Sequence, residues 1–161
     1  LTVIAAAGVF AGAYTYSGGE INAGGGFVSA FVTSLCSVGI YVLLFFFGGL
    51  SAVGQPMGYI LCFFKGLGTG YLAAYAACAM KSGDVCAALN ILPFEAVSMV
   101  TVILGARENI RMSSYISGRS FGASGEASDE GSLRLYLAKF ALILLTGIAA
   151  AAMRGLMAAV L

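Results

Sequence analysis

Two charged residues sit in runs where a membrane helix would carry none. Lys65 lies inside CFFKGLGTG and Glu95 inside NILPFEAVS. A lone charge at the centre of a membrane helix costs about 2.5–3.5 kcal/mol, so such a residue marks a functional site or has a partner. Each lies beside residues that disturb helices: Gly66, Gly68 and Gly70 follow Lys65, and Pro93 precedes Glu95. Glycine loosens a helix, and proline removes one of its backbone hydrogen bonds. Two interrupted apolar segments are the sequence pointer to a transporter site near the midplane, and Asn90 would add a polar group to it. The alternative is a Lys65–Glu95 ion pair that fixes helix register, with glycine allowing close packing and proline a tolerated kink. A third reading makes 57–64 a re-entrant arm ending at Lys65.

Depth favours pairing. Lys65 lies eight residues after Met57, roughly 12 Å along an ideal helix, and Glu95 lies eleven before Ala106, roughly 16 Å. Both distances run from the same side of the membrane, and they agree to within one helical turn.

Little else in the chain suggests chemistry. It has no His and no Trp. The first absence removes the commonest metal ligand and the usual general base, and the second leaves tyrosine alone to form an interfacial belt. No nucleophile–base constellation, phosphate-binding loop or zinc spacing occurs. Glu126, Asp129 and Glu130 lie in a polar stretch and read as a solvated face. Cys36, Cys62, Cys78 and Cys86 form no Cys-x-x-Cys pair. Most lie in apolar runs, where cysteine behaves as a small hydrophobe. Cys78 and Cys86 flank a short turn and are close enough in sequence for a disulfide. The expectation is no catalytic, cofactor-binding or metal site, and no enzyme.

The elements that must hold these residues follow from composition. The 161 residues are 60% hydrophobic and 9% charged, with a mean hydropathy of +0.98. A soluble domain carries about 25% charged residues, and a chain this short cannot bury the apolar excess in its own core. The fold class is therefore all-α, a polytopic integral membrane helical bundle in a single domain, 1–161. About five spans are expected, at 1–16, 27–50, 57–80, 85–106 and 135–161, with the third and fourth interrupted or kinked. The first span reads as the remainder of a membrane helix rather than a signal peptide, because it lacks a basic leading region. Its Gly8-x-x-x-Gly12 would admit a neighbouring helix, although with 23 glycines a chance match is the simpler account. Segment 17–26 is a glycine-rich turn holding Glu20. Gly54, Gln55 and Pro56 belong to a tight turn over 51–56, and 81–84 forms another. The stretch 107–134 is a polar surface loop, helical at its start at most.

Net charge is +1 and no basic stripe suggests nucleic acid; the partner class is membrane lipid, with room for a homo-oligomer. Arg107, Arg111, Arg119, Arg134 and Lys139 gather at the 107–134 loop, whereas the opposite turns hold Glu20, Lys81 and Asp84. By the excess of positive charge on the cytoplasmic side, the loop and the amino terminus are inside and the carboxyl terminus outside. Arg154 lies toward the outer end and would snorkel to the surface.

The middle of the chain resembles the stage II sporulation protein M family and its wider membrane relatives. The residues that carry the resemblance are FFFGGLSAVGQP (45–56), FFKGLGTGYLAAY (63–75), SGDV (82–85) and NILPFEAVSM (90–99). The five-span layout with a polar loop before the last helix is also similar. Where the family tends to have Gln-Asn after Leu-Pro, this chain has Phe94 and Glu95, which makes the Lys65–Glu95 pair a feature of this sequence. The resemblance implies a bacterial cell-membrane scaffold, not an enzyme, acting in forespore engulfment during sporulation. It implies membrane-anchored cell-wall hydrolases as partners: sporulation protein P, an amidase and endopeptidase, and protein D, a lytic transglycosylase. The runner-up is a transporter or permease subunit with a midplane site at Lys65, Asn90 and Glu95.

Overall fold

Hydrocarbon offers no hydrogen bonds to a backbone, so an apolar segment crossing it closes its own as a helix. The computed structural model describes residues 1–17, 27–51, 54–120 and 129–160, apart from the side chains of 87, 119–120 and 129–132. Among these residues the chain is all-helical: α1 (Thr2–Tyr14), α2 (Phe27–Gly49), α3 (Gly54–Lys81), α4 (Val85–Ser120) and α5 (Asp129–Val160). The last four are long and apolar enough to cross a membrane. Helix α1, at 13 residues, is about 20 Å long, short of a full crossing.

The helices pack as α1 on α3, α3 on α4, α4 on α5 and α2 against α4 and α5. Large apolar side chains such as Ile40, Phe47, Phe64, Val100, Leu142 and Leu145 point outward, while glycine, serine and threonine recur inside. This is the arrangement expected where lipid is the solvent: large apolar groups gain nothing by hiding, and small residues let backbones approach.

Helix α3 carries a small residue every fourth position, Gly54, Gly58, Cys62, Gly66 and Gly70, all buried. Its upper half meets α1. A Cβ on Gly66 would lie 2.5 Å from the carbonyl oxygen of Ala5, and one on Gly8 would lie 2.5 Å from that of Phe63. Additions at Gly12 and Gly70 would collide with the backbone at Leu67 and Val9. The Gly8–Gly12 pair is therefore a packing seam, not the chance match that the abundance of glycine suggested. Gly68, on the other side of α3, has open space around it.

Several expected boundaries move. Helix α3 runs unbroken through Lys65 and Gly66, and α4 runs unbroken through Pro93. There is no re-entrant arm. Gly66 serves close approach within a helix, and Pro93 removes one backbone bond that the surrounding turns tolerate. Gly54, Gln55 and Pro56 form the first turn of α3 instead of a free turn; proline is tolerated there because amides of the first turn lack intrahelical acceptors. Helix α4 continues past Ala106 to Ser120, and α5 begins at Asp129, so the loop expected over 107–134 shrinks from both sides. Asn109 and Ser113, one turn apart, are fully buried and draw this extension of α4 against its neighbours. Glu20, Glu126 and the glycine-rich segment 18–26 lie outside the described residues. The turn after Lys81 is as expected, closed by Gly83 at φ +92°, a conformation that favours glycine.

Candidate functional site: an intramembrane ion pair

The short turn after α3 makes α3 and α4 antiparallel neighbours, which brings Lys65 and Glu95 to the same depth. Lys65 Nζ donates to Glu95 Oε2 at 2.9 Å. The two residues are 5% and 4% exposed. Thr69, one turn on from Lys65 and so on the same face, donates its hydroxyl to the same Oε2 at 2.8 Å. Ser98 donates to the Glu95 carbonyl at 3.0 Å. The expected pair is thus a closed contact, with a threonine as the added donor.

A third charge joins from α5. Arg154 does not snorkel outward. Its guanidinium stacks over the Phe94 ring at 5.0 Å, and Nη1 donates to Ser34 Oγ at 3.2 Å. Ser34 in turn donates to the Ala30 carbonyl at 2.7 Å. Arg154 lies in the field of Glu95, while its buried Nε has no protein partner. Attraction to an aromatic face and to a carboxylate offsets part of the desolvation of the guanidinium. Asn90 stands apart: five residues before Glu95, it is turned about 140° around the helix, and its buried Oδ1 has no partner.

A second polar centre lies at the opposite end of α4, where α2 stops. The last carbonyls of a helix lack intrahelical donors, and those just before them can accept a second bond. Tyr136 of α5 donates its hydroxyl to the Phe46 carbonyl at 2.8 Å, and Asn109 Nδ2 donates to that of Phe45 at 2.7 Å. Ser113 donates to the Ser51 carbonyl at 2.8 Å, and Gln55 Nε2 to Ser114 Oγ at 2.8 Å. Nearby, Lys139 donates to both oxygens of Glu108 at 2.9 Å. Neither Asn109 nor Tyr136 stands out from sequence as buried. The available signal was the Asn109–Ser113 spacing, which sets two small polar residues on one helical face just past an apolar run.

Chemically, the midplane cluster is built to hold. One carboxylate oxygen accepts from both an ammonium and a hydroxyl, and the side chain is nearly buried. The four cysteines are free thiols, so the Cys78–Cys86 disulfide is not formed. Among the described residues no group of His, Cys, Asp and Glu could hold a metal ion. No family model, curated protein or solved structure matches this chain.

Proposed function

We propose that this chain is a non-catalytic membrane scaffold that recruits peptidoglycan hydrolases during forespore engulfment. The observation that carries the non-transport part is the closed Lys65–Glu95 contact. A midplane transport site needs polar groups open to a water-filled path, whereas these two side chains are nearly buried and face each other, with Thr69 bonded to the same carboxylate oxygen. A pair so enclosed suits a fixed arrangement of helices. The hydrolase partners come from the resemblance of 45–56, 63–75 and 90–99 to the sporulation family. In this reading the protein is a multi-pass protein of the bacterial cell membrane with its arginine-rich end in the cytoplasm. Its membrane helices and short outward turns bind the anchor of a hydrolase.

Affinity purification of the tagged chain from native sporulating membranes tests this. It should recover an amidase–endopeptidase and a lytic transglycosylase. Recovery of no cell-wall hydrolase would sink the scaffold reading.

A further inference from the structure

The groove between α4 and α5, at the arginine-rich end, encloses a cavity of about 170 Å³. Arg111, Lys139 and Glu108 line it together with Tyr115, Met112 and Leu135. Among the described residues two cations face one carboxylate, leaving one positive charge in excess. Lys139 accounts for Glu108, since it donates to both carboxylate oxygens at 2.9 Å. Arg111 is the more loosely held cation among the described residues: its Nη1 forms an ion pair with Glu108 Oε2 at 3.7 Å, longer than a hydrogen bond. Its side chain is 66% exposed.

Position identifies the anion. Glu108 lies 23 residues after Val85, the first residue of α4. That is roughly 35 Å along the helix, against a hydrocarbon core about 30 Å thick. The cavity therefore stands at headgroup level. Its walls divide between apolar Met112 and Leu135 and the charged trio, the division that an amphiphile presents. A guanidinium fork matches phosphate oxygens in a way that an ammonium does not. Basic pockets between membrane helices at this level take anionic headgroups.

We propose that this groove binds the phosphate headgroup of an anionic phospholipid. Arg111 holds the phosphate, the Lys139–Glu108 pair positions the two helices beneath it, and Met112 and Leu135 meet the start of an acyl chain. The site is independent of the scaffold reading.

The test uses the full chain in mild detergent and native mass spectrometry, with phosphatidylglycerol or phosphatidylcholine added. Phosphatidylglycerol adducts should be retained and phosphatidylcholine adducts lost. Arg111→Gln should reduce retention about fivefold, the effect of one cation near a charged surface. Arg107→Gln, an exposed position on the same helix outside the groove, should leave retention unchanged. Circular dichroism should show both variants helical. A photoreactive phosphatidylglycerol should label α4 and α5 of the unaltered chain. Equal loss in both variants, equal retention of phosphatidylcholine, displacement by millimolar inorganic phosphate, or labelling elsewhere would each overturn the site.

Discussion

Removing one member of the Lys65–Glu95 pair leaves the other charge at mid-depth without a counterion. Breaking a buried pair in this way typically costs about 3–5 kcal/mol, whereas replacing both members with apolar residues of similar volume is often neutral or stabilising. Lys65→Met and Glu95→Leu should each therefore lower stability by about that amount, and the double variant should recover most of it. Denaturant unfolding in micelles measures all three. Losses that simply add would show that the 2.9 Å contact contributes nothing as a pair. The pairing was legible in the sequence, because a short turn between two apolar runs fixes their relative depth. Arg154 was not. Whether an arginine near a helix end snorkels or turns inward depends on what its neighbours offer. Here those are the Phe94 ring and Ser34, residues 60 and 120 positions away in the chain.

Glycine means opposite things at two positions of α3 that are two residues apart. Gly66 lies against the Ala5 backbone, which cannot give way, whereas Gly68 has open space. Gly66→Ala should force α1 away from α3 and lower the melting temperature in detergent. Gly68→Ala should raise it, since alanine is favoured over glycine inside a helix by about 0.8–1.0 kcal/mol. Shifts of the same sign would mean that α1 is not seated on α3 through backbone contact. Apolar runs in the sequence mark all five helices and most of their ends to within three residues, but not the far end of α4 or the start of α5. Gly66 and Pro93 resemble breaks because in water they often are. In a bilayer an unpaired backbone group is so costly that the helix persists through both. Residues 107–120 of α4 look soluble, and so they read as loop. Asn109 and Ser113 are polar because they cap the end of α2, and only the fold reveals that carbonyls await them there.

Orientation is a property of the whole chain, and charge supplies the argument for it. The ends of α4 and α5 that carry Arg107, Arg111, Arg134 and Lys139 lie together, at the same end as the start of α3. The turn joining α3 to α4 lies at the other end, and it carries Lys81 and Asp84. Positive residues close to the spans stay on the cytoplasmic side, so this turn should face outward. The native cysteines report on it directly. Cys78 and Cys86 flank the turn and are exposed, whereas Cys62 is buried and Cys36 sits on the lipid-facing side of α2. Thiolate formation needs water. A membrane-impermeant maleimide should therefore label Cys78 and Cys86 in intact cells or protoplasts and leave Cys36 and Cys62 unmodified. Labelling that appears only after permeabilisation would invert the topology. Inversion would also move the Arg111 groove to the outer leaflet, away from the negative surface potential of the cytoplasmic leaflet. The same cysteine experiment thus decides on which face of the bilayer the turn between α3 and α4 lies, and which leaflet would supply the proposed lipid.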